Sequence, residues 1–123
     1  MSKVSESTGA EDRTGTLPRP DAGSLIARSA AQPWEPDGSS GFSYKTLFED
    51  PSSGQTTMLM KVEAGALSPS HMHDQLEQVF VIDGTFYDEY RNYEAGDFIV
   101  RAPGALHTGG SRDGALLLVV YSA

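Results

Sequence analysis

From Phe42 onward the apolar residues fall in short runs cut by glycine- and proline-bearing turns, and no stretch carries the 3.6-residue period of a helix. The runs are residues 42–48, 55–63, 77–82, 85–90, 98–101 and 115–121. Residues 49–54 read as a loop by composition. Asp83-Gly84 is a two-residue hairpin signal between the third and fourth runs. Residues 92–97 and Asp113-Gly114 turn the chain again. In 55–63 the alternation puts Thr56, Met58, Met60 and Val62 on one face, with Lys61 and Glu63 on the other. In 98–101 Arg101 is expected to face water, so Phe98 and Val100 face inward. Residues 115–121 are apolar on both faces and predict a strand buried on both sides. A short strand at 24–28 precedes a turn at 32–38, where Trp34 is expected to plug the edge of the core. About six to eight short strands with regular turns predict an all-β sandwich or barrel, in which sequential strands need not be neighbours.

A length of 123 residues suggests one domain, and 38% hydrophobic residues allow only a small core. Residues 1–23 are rich in Ser, Thr, Gly, Pro and charge and are expected to form a disordered N-terminal tail, leaving 24–123 as the folded domain. Cysteine is absent, so neither disulfides nor thiolate metal ligands are available. The N-terminal stretch lacks the apolar core of a secretory signal, no apolar run approaches the ~20 residues of a membrane span, and a cytoplasmic location is expected. The net charge of −8, with a pI of about 4.6 and no Lys/Arg cluster, argues against nucleic acid and anionic membrane surfaces as partners.

The chemistry rests on three histidines, His71, His73 and His107, which are the full histidine complement of the chain. In an extended segment His71 and His73 share a face, whereas on a helix they would diverge by about 200°. Glu77 follows four residues after His73. Two imidazoles and a carboxylate begin a metal site, and a jelly-roll arrangement would bring the His107 strand alongside. Such a donor set suits Fe(II), Mn(II), Ni(II), Zn(II) or Cu(II) and leaves two adjacent octahedral positions open, which points to catalysis. Glu77 either binds the metal or hydrogen-bonds a ligand water.

The stretch 65–84 reads Gly, five residues, His-x-His, three residues, Glu, six residues, Gly, and it resembles the first motif of the cupins at every position. Gly96-Asp97 through Pro103-Gly104 to His107 resembles the second motif. Ala102 replaces the usual proline there, and Ser111 stands where asparagine is common. Residues 84–96 and 103–107 further resemble the cupin domain of anti-sigma factors of the ChrR type. That group is similar to small dioxygenases that cleave carbon–carbon bonds in β-diketones and hydroxyketones. The resemblance implies a cupin jelly roll with His71, His73, Glu77 and His107 on the metal, and a homodimer. The anti-sigma proteins carry a separate zinc-binding N-terminal domain. Residues 1–64 contain neither His nor Cys, so an anti-sigma role is not expected.

Three functions are compatible with such a site. The first is a non-haem Fe(II) dioxygenase acting on a small chelating substrate. Its expected pocket walls are Met58, Met60, Val79, Val81, Phe98 and Val100. The second is a redox-neutral isomerase, cyclase or lyase with Glu77 as general base. The third is a non-catalytic zinc-binding sensor or ligand-binding module. Tyr87, Tyr90 and Tyr93 are expected at the surface or a subunit interface, with one able to reach the site as a proton donor. Asp74, Asp83, Asp88, Glu89 and Glu94 are expected to form a solvated acidic rim.

Overall fold

In the computed structural model, which describes residues 9–123, the chain runs through β1 (Ala10–Arg13), β2 (Ser24–Ala27), one 3-10 turn at Ser29–Ala31, β3 (Glu35–Pro36), β4 (Phe42–Asp50) and β5 (Gln55–Val62). It continues through β6 (Leu67–His71), β7 (Leu76–Tyr87), β8 (Asn92–Glu94), β9 (Phe98–Arg101), β10 (His107–Gly110) and β11 (Ala115–Ser122). Two antiparallel layers result, both built on β7. One runs β3-β4-β5-β11-β7 with β9 on the far side of β7, and the other joins β6, β10 and β8 to β7. Curled together they make the jelly-roll half-barrel expected of an all-β chain. Among the described residues, no helix is long and apolar enough to cross a membrane.

Gly84 is the corner at which β7 passes from one layer to the other. Before it, β7 pairs with β9 and β11; after it, Thr85, Phe86 and Tyr87 pair with β8. The Asp83-Gly84 hairpin expected from the sequence is therefore not formed. The pairing with β11 shifts register just before it, between Val81 and Asp83, as at a bulge, and Gly84 adopts a φ of 77°, which L side chains avoid. The reversal comes at residues 88–91 instead. There Asp88 N donates to the Arg91 carbonyl, and the Asp88 carboxylate accepts from Tyr90 N (2.8 Å) and Arg91 N (2.9 Å). The aspartate side chain thus mimics backbone and closes the turn.

The core lies between the layers and centres on Val62, Val79, Val81, Phe86, Leu117 and Val119, with Met58, Met60 and Ile99 packed against it. Along β11 one face is buried (Ala115, Leu117, Val119), and the other is only half-buried rather than fully covered as expected. Strand β9 has the opposite parity to that expected. Phe98 and Val100 are exposed at 56% and 54%, while Ile99 and Arg101 face inward. The pairing of Phe80 with Phe98 gives the outward aromatic a neighbour across the strands.

Residues 1–8 of the expected tail lie outside the described residues. Within 9–23, β1 runs parallel to β2, and Leu17 exchanges backbone hydrogen bonds with Leu47 and Glu49 of β4. Trp34 lies on the outer face between two amines, Lys45 Nζ at 4.5 Å and Lys61 Nζ at 4.8 Å from its ring. Ser111, fully buried, fills the place of the common asparagine. Its hydroxyl donates to the Thr85 carbonyl and accepts from Gly114 N (2.8 Å). Its backbone joins Gly65 and Ala66.

A methyl group at Gly84 would meet the Gly114 carbonyl and lie 2.9 Å from Ala115 Cα, on top of an unfavourable φ. Gly84→Ala is expected to destabilise the fold by about 2–4 kcal/mol, whereas the same change at a hairpin tip in open space would cost much less. Urea unfolding midpoints of Gly84→Ala and of Gly96→Ala, where a Cβ meets nothing within 4 Å, measure the difference.

Candidate metal centre

Register brings the histidines together. His71 ends β6 and His107 begins β10, and the two are direct partners across the antiparallel pair. His73 lies two residues beyond β6 in extended chain, with its carbonyl accepting from Gly104 N at 2.7 Å. Met72 between them points away and is 59% exposed, as alternation requires. One ring nitrogen of each histidine lies within 4.8 Å of those of the other two. The Nδ1 atoms of His71 and His107 face the carbonyls of Pro69 (2.8 Å) and Ala105 (3.3 Å). Donation to those carbonyls holds the proton on Nδ1 and leaves Nε2 free as a ligand. Burial, and then the nearby Arg101, push the His107 imidazole toward its neutral form, the form that ligates.

Glu77 is the centre of a row built by strand register. It pairs with Tyr121 of β11 on one side and with Arg101 of β9 on the other. Tyr121 donates to Glu77 Oε2 at 2.8 Å and lies 3.2 Å from His73 Nε2. Burial, followed by the charge of Glu77 and this hydrogen bond, drives the Tyr121 phenol well above its usual pKa, so it keeps its proton. Arg101 Nε stands 3.2 Å from Glu77 Oε1 as an ion pair, but without the alignment of a hydrogen bond. Its Nη1 reaches Asp88 Oδ2 at 3.0 Å. Glu77 Oε1 thus remains a buried oxygen without a hydrogen-bond partner, 3.7 Å from His107 Nε2. Three imidazoles beside an orphaned carboxylate oxygen fit a divalent transition metal, with the histidines as the principal ligands.

Arg101, expected in water, is therefore a buried component of the site, and Asp88, expected on the acidic rim, is its buried partner. Asp88 also accepts from the Tyr93 hydroxyl at 2.8 Å. Burial, and next this hydrogen bond, push the Tyr93 phenol up to about 12. The phenol that reaches the histidines is Tyr121, not one of the three tyrosines around the 88–91 turn: Tyr90 is 63% exposed and Tyr87 lies under Arg112. A buried glutamate calls for a counter-charge, and that requirement was the signal available in the sequence for an inward Arg101.

The histidines open into a cavity of about 420 Å³. Of the expected wall residues, Met58, Met60 and Val79 line it. Val81 is buried in the core instead, and Phe98 and Val100 lie on the outer surface. Phe42, Phe86, Leu117 and Val119 complete the apolar wall, and Asp37, Ser39 and Ser68 add polar groups. Burial pushes the Asp37 carboxyl up, against the opposing pull of His71 and His73.

Comparison with known proteins agrees with this architecture. The family described as "ChrR Cupin-like domain" matches residues 22–123. No curated protein matches the sequence. Among solved structures, the chain is similar to one in the complex of Rhodobacter sphaeroides SigE with the anti-sigma ChrR, at 25% identity, 79% of this chain, 51% of that chain and a TM-score of 0.63. It is also similar to the polyketide cyclase RemF from Streptomyces resistomycificus, at 17% identity, 79% of this chain, 78% of that one and a TM-score of 0.67. A third similar structure is an acetylacetone dioxygenase from Acinetobacter johnsonii, at 18% identity, 71% of this chain, 64% of that one and a TM-score of 0.64. The chain spans about half the length of its match in the SigE–ChrR complex and under two thirds of the dioxygenase chain. At these identities the cyclase and the dioxygenase share the fold.

Two outcomes test the ion-pair row. Arg101→Leu strands two buried carboxylates and is expected to destabilise the protein by about 3–5 kcal/mol in chemical denaturation. Burial opposes ionisation of Asp88, but its backbone, Tyr93 and Arg101 hydrogen bonds outweigh it and hold the carboxyl below its ordinary value. A depressed folded pKa contributes stability that is complete above the unfolded value of about 3.9 and is lost as pH falls through the folded one. The stability gap between wild type and Asp88→Asn should therefore be full at pH 6 and shrink steadily below pH ~4, as read from urea unfolding at each pH.

Proposed function

The chain belongs to the ChrR cupin-like domain family, and on that footing we propose that it is a metal-dependent cupin enzyme, a non-haem Fe(II) dioxygenase of small diketones, hydroxyketones or similar chelating molecules. The observation that carries this reading is the meeting of His71, His73 and His107 at one side of a cavity whose remaining walls are largely apolar. Iron held there would supply Lewis acidity and a path for electrons to oxygen. The protein's own part is to hold, orient and dry the reactants. His71, His73 and His107 would hold the metal without adding negative charge, so an anionic substrate group would balance it. Met58, Met60, Phe86 and Val119 exclude water around it. Tyr121 keeps its proton and fixes one oxygen of Glu77.

A redox-neutral isomerase, cyclase or lyase is the second reading. Glu77 Oε1 favours it, because a buried carboxylate oxygen with no hydrogen-bond partner is placed to take a proton from a substrate.

Elemental analysis of protein purified without chelator is expected to show about one iron per chain, with loss of the metal in His107→Ala. Iron-reconstituted protein is expected to consume oxygen with acetylacetone. Stoichiometric metal without oxygen uptake would shift the assignment to the redox-neutral reading. Failure of the wild type to hold or take up any metal would overturn both.

A further inference from the structure

The segment before β4 forms a strap at the edge of the cavity, with Asp37 exposed and Ser39 half-buried. Glu35 and Pro36 pair with Tyr44 and Ser43. Asp37 N then donates to the Phe42 carbonyl at 3.1 Å, and Phe42 N donates to the Ser39 carbonyl at 3.1 Å. This turn delivers Asp37 and Ser39 to the cavity that holds the histidines. Apart from the imidazoles, three ionisable side chains of ordinary charge line that cavity: Asp37, Glu77 and Arg101. Glu77 and Arg101 face each other as an ion pair. Asp37 has no ion-pair partner among the described residues. It shares the cavity lining with His71, His73 and Tyr121.

We infer that Asp37 is a specificity-determining residue that reads the end of the substrate remote from its chelating group, favouring a cationic or hydrogen-bond-donating tail and rejecting a carboxylate. The inference rests on the metal-site reading above and adds the substrate class. A chelating head brings its negative charge to the histidine side. In a cavity of about 420 Å³ the tail of such a small molecule stays within reach of the mouth. There it meets one carboxylate with no ion-pair partner, exposed at the cavity's edge, where an unlike charge is attracted and a like charge repelled, most strongly at low salt. Ser39 beside it adds a hydroxyl for a polar tail. The strap bears no sequence signal of this role, because a lone aspartate in a Pro-Asp-Gly turn reads as turn chemistry.

The test uses full-length protein reconstituted with zinc, which is redox-inert, and three hydroxamates with the same chelating head: propionohydroxamate with a neutral tail, β-alanine hydroxamate with a cationic tail and succinate monohydroxamate with an anionic tail. Titration calorimetry at low salt is expected to give affinities in the order cationic, neutral, anionic, with at least about a tenfold span between the extremes. In Asp37→Asn the ratio of the cationic to the anionic affinity is expected to fall to about twofold. Glu35→Gln, altered on the same strap outside the cavity, should keep the wild-type span. An equal span in wild type and Asp37→Asn would overturn the role of Asp37 while leaving the metal site intact. Failure of zinc, or of propionohydroxamate on the zinc-loaded wild type, to bind would overturn the metal-site reading and the inference with it.

Discussion

One guanidinium between two buried carboxylates sets the geometry of this protein's working end. Arg101 lies between Glu77 and Asp88, and all three are shielded from water. Such a group is costly to desolvate and tolerable only when its charges face one another and their remaining bonds are filled. Here they largely are. Asp88 takes two backbone N–H groups of its own turn and the Tyr93 hydroxyl, and Glu77 takes the Tyr121 hydroxyl. Turning Arg101 inward decides the parity of β9, and that parity sends Phe98 and Val100 to the outer face. The turn at 88–91, the facing of β9 and the placement of a carboxylate beside His73 and His107 are therefore one electrostatic arrangement.

Much of this was legible in the sequence. The period of two that aligns His71 with His73 depends only on extended backbone, and the structure keeps it although His73 falls just beyond β6. The strands before and after the motifs follow from runs of alternating or continuous apolar residues. What was not legible has specific causes. Residues 98–101 offer Phe and Val at one parity and Ile and Arg at the other, so apolar content barely separates the two faces. The rule that charge faces water then chose the wrong one, because Glu77 is a buried anion that needs a cation. Asp83-Gly84 carries the same signal for a hairpin and for a corner, since both need a residue free to take positive φ. Tyr121 ends an apolar run and looks like more core until the register places it beside Glu77.

Ser111 shows how a departure from a family pattern is absorbed. Where asparagine is common, a shorter side chain joins the Thr85 carbonyl to Gly114 N, and its backbone reaches Gly65 and Ala66. The polar groups of three chain segments are thereby satisfied at a point with no access to water. The cost of an unpaired buried group is avoided without the longer amide.

The seating of Trp34 between Lys45 and Lys61 divides labour within the chain. These contacts, together with the pairing of β3 to β4, fix the strap from the outer side of the barrel and use none of the side chains that face the histidines. The strap tip at residues 37–39 and the ligand framework at 71–107 are thus anchored independently. A side-chain change at the tip therefore leaves the supports of the histidine framework in place, as in the exposed loop of a binding protein. On the proposed reading, one part of this small barrel sets what the cavity admits and another holds the metal.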